Sequence, residues 1–175
     1  MRFGRLAPSQ WGLDTRLSVR MGAVNLTERL LPDDPPRLDQ VAKLDEWIRQ
    51  TLMGHVSSPA KAGMFSLVGV GGTVVSLAAI QGGTEGSKAE AQHGRALSRA
   101  DISRQIDLFC KRSSKDRTRV PGLDPRRADI IIAGAAILRA VMRHFETEEL
   151  RISTRGLRHG VMYDRFVFPE EAWDV

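Results

Sequence analysis

Phe65-Ser66-Leu67-Val68-Gly69-Val70 runs directly into Gly71-Gly72-Thr73 and then into Val74-Val75-Ser76-Leu77-Ala78-Ala79-Ile80. The first run, short, apolar and flanked by glycines, predicts a buried strand; the second predicts a helix ending near Ile80. Strand, glycine turn, helix is a building unit of layered α/β proteins. Glycines at such a turn let the backbone approach a bulky anion or a sugar, and helical N–H groups with the helix dipole favour negative charge there. The segment has no lysine and is not a P-loop, and close strand–helix packing would require the same glycines.

Upstream, Arg16 to Arg20 alternates, with Leu17 and Val19 on one side, as a half-buried strand does. Gly22 breaks it, and a short helix carrying Leu26, Leu30 and Leu31 is expected, capped by Asn25 or Thr27 and ended by Pro32, Pro35 and Pro36. Leu38, Val41, Leu44, Ile48 and Leu52 recur at three- and four-residue steps, which predicts an amphipathic helix over Arg37 to Met53. His55 to Gly63 reads as a connection, and Gln81 to Gln92, with three glycines and no large apolar side chain, as a mobile surface loop.

Downstream, Ser98 with Asp101 three residues later introduces a helix to Lys111 carrying Ile102, Ile106 and Phe109. Pro121-Gly122 is a turn, Asp124 a cap and Pro125 a first helical residue, so a helix is expected from there to about Phe145. It is apolar over most of its circumference and must be central. Leu150 to Ile152 reads as a short strand, and Thr154 to Tyr163 as a glycine-punctuated turn and helix. The order strand, helix, helix, strand, helix, helix, helix, strand, helix predicts an α/β layer structure.

The chain has 175 residues, 42% hydrophobic and 27% charged, which fits one ordinary globular domain and excludes whole-chain disorder. Cys110 is the single cysteine, and with four scattered histidines it gives no zinc-ligand spacing. Neither a secretory signal nor an apolar run near the ~20 residues of a membrane span is present, so a cytoplasmic protein without membrane contact is expected. Net charge is +5, but its distribution is uneven: Arg99 to Phe145 carries 11 basic and 5 acidic residues, Glu146 to Val175 only 4 against 7. Such a region attracts phosphate esters, polyphosphate or nucleic acid without choosing among them; a solvated helix face gives the same count.

Within that region Arg117, Arg119, Arg126 and Arg127 flank Pro121-Gly122-Leu123-Asp124-Pro125, and arginine is suited to bidentate phosphate contact. Asp124 and Asp129 are placed to neutralise part of the cluster. Arg155 and Arg158, around Gly156-Leu157, raise the same question. His93 and His159 have no serine or cysteine partner at a recognisable spacing and read as surface histidines. Carboxylates are dispersed, no Asp-x-Gly phosphate loop occurs, and neither catalytic nor metal-ligating residues are nominated.

Five segments, Met21 to Arg29, Val68 to Thr73, Arg119 to Asp129, Ala133 to Leu138 and Ser153 to Gly160, together resemble the exopolyphosphatase / guanosine pentaphosphate phosphatase (Ppx/GppA) family, in family order across nearly the whole chain. The Pro121-Gly122-Leu123 block with Arg127-Ala128-Asp129, joined to Arg155-Gly156-Leu157-Arg158, is its specific part; His159 stands where the family often has glutamate. The resemblance implies a ribonuclease-H-like lobe of the actin-like ATPase superfamily, an α/β fold with a mixed sheet flanked by helices. In that superfamily two lobes close over a phosphate-filled cleft.

On the resemblance, residues 1–175 form one domain, the second (C-terminal) lobe. The first lobe's Asp-x-Gly-Thr-Asn-type loop, catalytic glutamate and Asp-x-Gly-Gly-Gly-Ser loop are not found before Met21. A truncated chain, inactive alone and forming one cleft wall, is therefore expected. Gly71, Gly72 and Thr73 resemble the glycine pair of the second lobe, and Arg127, with Arg126 and Arg119 beside it, is the expected contact to phosphate or guanosine tetraphosphate. The implied reaction removes a terminal phosphate from polyphosphate or guanosine pentaphosphate, with Mg²⁺ in the two-lobed parent and no cofactor in this chain alone. Expected partners are those phosphates and the missing N-terminal lobe, with a homodimer also admitted and nucleic acid not expected. The alternative is a non-catalytic module binding guanosine tetraphosphate or a polyanion such as RNA.

Overall fold

The computed structural model describes residues 17–56, 65–83 and 89–166. The connection after His55 and the Gln81 to Gln92 loop fall partly outside these residues. The elements run α1 (Ala23–Leu30), α2 (Leu38–His55), β1 (Val68–Val70), α3 (Gly72–Gln81), β2 (Ala96–Ser98), α4 (Arg99–Cys110), α5 (Ser114–Arg117), α6 (Ile131–His144), β3 (Glu149–Ser153) and α7 (Leu157–Phe166), with short 3-10 turns at Ala89–Gln92 and Pro125–Arg127. No described helix is long and apolar enough to cross a membrane.

The sheet is mixed, in the order β1-β3-β2: β1 runs parallel to β3 with Val70 opposite Ser153, and β2 antiparallel with Leu97 opposite Leu150. Leu97, Leu150 and Ile152 point to one face and are buried. Gly69 lies on that face too, its Cα hydrogens against Val74 and Leu150. There α3 packs on all three strands and α4 on β2. Behind them α6 touches α1, α2, α3 and α4, because Ala133, Gly134, Ala135 and Ala136 leave its surface low enough for close approach. Two polar ties lock the layers: Gln105 donates to the Leu77 carbonyl at 3.0 Å, and Arg139 to Asp45 at 2.6 Å.

Several expected elements are corrected. Leu17 to Arg20 keeps its alternation, with Val19 and Met21 buried, but forms no strand, since no described strand pairs with it. α1 takes Gly22 as its N-cap, with Asn25 and Thr27 inside the helix. The run from Phe65 yields only three strand residues, and it is not buried: β1 is paired on one side, and Val68 and Val70 are exposed on the outer face. The helix expected from Pro125 to Phe145 is broken, because Arg127, Ala128 and Ile130 donate to carbonyls three residues back and α6 begins only at Ile131. β2 and the single turn α5, capped by Ser113, were not expected. The Ser98 cap is as expected, its hydroxyl accepting from Asp101 N–H at 3.0 Å.

Candidate functional site

Gly71 and Gly72 form the junction of β1 and α3. Gly71, with φ +117° and ψ 171°, occupies a region essentially restricted to glycine, and that residue turns the chain from sheet to helix. No side chain caps α3, so its first-turn N–H groups keep their capacity to donate. The helix dipole adds partial positive charge at the same point.

Arg127 lies over this junction. A Cβ built on Gly72 would overlap the Arg127 guanidinium, so its plane rests against the one helix position that has no side chain to exclude it. How Arg127 comes to be there is legible locally. Asp124 caps the 3-10 turn, accepting from Arg126 N–H at 3.1 Å, and Pro125 supplies the first residue. Gly122, at φ +86°, brings the preceding turn so close to α3 that a Cβ would sit 2.6 Å from the Ala79 carbonyl carbon. The Pro121-Gly122 turn is thus docked on the second half of α3 while Arg127 reaches its start.

Charge within this group is uneven. Asp124 receives both Arg126 Nε (3.1 Å) and Nη2 (3.0 Å), whereas Arg127 Nε stands 3.8 Å away. The Arg126 hydrogen bonds, against a small cost of burial, hold the Asp124 carboxyl below the usual range. Arg126 is therefore neutralised by its own turn, and its side chain is 89% exposed. Arg127 is only loosely paired and 35% exposed, which leaves its guanidinium able to meet an anion.

Of the residues nominated from sequence, Gly71, Gly72 and Arg127 come together. Thr73 follows them in α3, but its side chain faces α6, where a Cβ on Gly134 would lie 2.7 Å from Thr73 Oγ1. What Thr73 presents at the junction is its backbone N–H, in the uncapped first turn of α3. Arg119 is exposed and without a described carboxylate within 4.0 Å. Two features were missed: Gly134 as the seat of Thr73, signalled by the lone glycine within an alanine-rich apolar run, and the β3–α7 turn beside β1. The two strands are parallel and end together, and a Cβ on Gly156 would lie 3.7 Å from Val70 Cγ1. Ligands of open α/β sheets sit outside such carboxyl ends. His93 is exposed and accepts from Thr154 N–H at 3.3 Å.

Residues 13–167 match the family described as the Ppx/GppA phosphatase family. Exopolyphosphatase 1 of Mycobacterium leprae is 33% identical over 150 residues, covering 85% of this chain and 44% of that protein. The bifunctional 3-dehydroquinate synthase/phosphatase of Fusobacterium nucleatum is 27% identical over 145 residues, 81% of this chain and 21% of its own length. The solved Aquifex aeolicus PPX-GPPA enzyme superposes with a TM-score of 0.79 at 32% identity, over 86% of this chain and 49% of that one. The chain thus spans less than half the length of these relatives.

Proposed function

The chain belongs to the Ppx/GppA phosphatase family, with its actin-like α/β fold, and from that premise we propose that it forms one wall of a phosphate cleft, taking inorganic polyphosphate or guanosine pentaphosphate. The observation that carries this is the Arg127 guanidinium laid over Gly72 at the uncapped start of α3. A phosphate there meets N–H donors and a partial positive charge from the helix. It also meets a planar fork of donors from Arg127. The missing Cβ at Gly72 keeps backbone and guanidinium on one surface.

Hydrolysis of a terminal phosphate needs a group that activates water. Asp124, the carboxylate beside Arg127, is held ionised by Arg126 and well below neutrality, which makes it a weak base. We assign the hydrolytic step to the part of the family protein beyond the matched half, and binding to this chain. For Mg²⁺, which the family reaction would use, the residues do not fit a site: among the described residues no three His, Cys, Asp or Glu side chains group to hold an ion, and Asp124 is engaged by two arginines. No step here is routed through a metal.

The same lack of a poised base in the mouth favours a second reading, a binding module for guanosine tetraphosphate or another phosphate chain without catalysis. One experiment addresses both. The purified chain is titrated with long-chain polyphosphate and with guanosine pentaphosphate by calorimetry, and phosphate release is followed with Mg²⁺ present. Binding that Arg127→Ala weakens by ~1.5–3 kcal/mol, with no release above background, is expected. Turnover that survives repurification would overturn the one-wall assignment, and binding indifferent to Arg127 would overturn the mouth.

A further inference from the structure

We propose that Arg155, on the turn between β3 and α7, is a second phosphate contact that holds a polyphosphate chain beyond the group under Arg127. This rests on the glycine mouth reading and adds an extended anion as its preferred ligand.

Register places it. Val70 and Ser153 are paired in parallel strands, so Gly71-Gly72 and Thr154-Arg155-Gly156 leave the same end of the sheet side by side. The closeness persists beyond the strands, since a Cβ built on Gly156 would lie 3.7 Å from Val70 Cγ1. Arg127 reaches the glycine pair from the segment before α6, and Arg155 stands on the β3 side of it.

The turn that carries Arg155 is held. Ser153 Oγ accepts from Arg155 N–H and donates to the Arg155 carbonyl, both at 3.2 Å, and Thr154 N–H is fastened to His93 Nδ1. The guanidinium is oriented too, with Nη1 donating to the Tyr163 hydroxyl at 3.2 Å from the second turn of α7. A neutral hydroxyl directs an arginine without cancelling its charge. Among the side chains described, no carboxylate lies within 4.0 Å of Arg155, in contrast to Arg126 with its bidentate Asp124. Arg155 therefore presents a cation steadied by a neutral hydroxyl, on a turn beside the glycine pair. A single terminal phosphate under Arg127 leaves it idle, whereas a chain of phosphates running across Gly71-Gly72 engages both arginines.

The test compares ligand length. The full chain, with R127A, R155A, R155K and K115A variants, is titrated with tripolyphosphate and with long-chain polyphosphate at two salt concentrations, each variant first shown to melt as the parent does. R155A is expected to weaken the long chain by about tenfold and tripolyphosphate by less than about twofold. It should also flatten the salt dependence for the long chain, because one cation fewer releases counterions. R155K should recover part of the loss, since it restores the charge without the fork, and K115A, which removes an exposed cation away from the mouth, should change the affinity for neither ligand. If R127A weakens both ligands while R155A leaves the long chain unaffected, the Arg155 assignment fails and the mouth stands. If R127A has no effect, or nothing binds, the mouth reading fails and Arg155 with it.

Discussion

Replacing Gly72 by alanine separates a glycine kept for ligand access from one kept for packing. The backbone of Gly72 is ordinary helix, so alanine is not strained there, and the smaller entropy of the unfolded chain favours the variant by ~0.4–1 kcal/mol. Against this, the new methyl overlaps the Arg127 guanidinium. That group is the far end of a flexible side chain and can swing away, losing only its loose 3.8 Å contact with Asp124. A partly exposed pair of this kind contributes about 0–1 kcal/mol. The two effects nearly cancel, and the melting temperature should move by less than about 4 °C. Binding should respond differently, because the displaced guanidinium no longer shares a surface with the α3 N–H groups. Affinity for polyphosphate should fall by roughly 10- to 100-fold, ~1.5–3 kcal/mol. A double-mutant cycle adds a check: in an Arg127→Ala background the Gly72→Ala change should have little further effect on binding. Loss of more than about 2 kcal/mol of stability in urea unfolding, or unchanged affinity in a folded variant, would refute the reasoning and make Gly72 a packing residue.

Gly71→Ala faces open space but a glycine-only conformation, so it should cost ~1–3 kcal/mol in denaturant unfolding without any steric clash to relieve. Gly122→Ala combines φ +86° with a Cβ 2.6 Å from the α3 backbone; more than about 2 kcal/mol should be lost, and polyphosphate affinity with it, since the turn that places Arg127 must lift off α3. Burial raises the Asp34 carboxyl, but the Ser114 hydrogen bonds and then Arg117 outweigh it and hold it below its usual range. A carboxyl depressed in the folded state contributes stability above its unfolded value near 3.9 and loses it as pH falls through the folded value. Acid unfolding curves should show a limb below about pH 4 that Asp34→Asn flattens, while at neutral pH that variant leaves the Arg117 guanidinium, 3% exposed, without its ion partner and should lose about 2–3 kcal/mol.

The parts legible in the sequence are those where local pattern and tertiary role coincide. The α2 stripe, the Ser98 cap and the apolar α6 each state in a few residues which face is buried, and the structure agrees except at Leu38, which opens α2 and is 86% exposed because no element packs over that first position. What escaped depends on partners far away in the chain. β2 is three residues long and exists as a strand because β3 pairs with it; Ala96 to Ser98 alone carries no alternating signal. Leu17 to Arg20 shows the converse, a strand-like alternation that buries Val19 while no strand among the described residues pairs with it. In the site, the glycine pair and Arg127 could be nominated separately. Their contact could not, since it follows from the positive-φ turn at Gly122 docking on α3.

The regional charge illustrates the same dependence and decides which arginines matter. Counted along the chain, Arg99 to Phe145 holds 11 basic residues against 5 acidic ones, enough to suggest a broad anion-attracting face. In the fold, Arg99, Arg104, Arg117, Arg126, Arg127 and Arg139 each have a carboxylate within 4.0 Å, and Glu148, Asp34 and Asp45 are brought in from outside the segment. Two of these pairs tie layers together, with Arg117 and Arg139 buried. The positive surplus is thus partly offset by these carboxylates, and a diffuse field is a weak account of phosphate selectivity. What distinguishes Arg127 is geometry: it is the member of that set whose pairing is loosest and whose guanidinium rests on a glycine at a helix start. Affinity should accordingly track single substitutions at Arg127 and Gly72 far more steeply than net charge. Neutralising an exposed cation of the same segment such as Lys111 or Lys115 should alter the salt dependence of association and leave the bound complex nearly as tight.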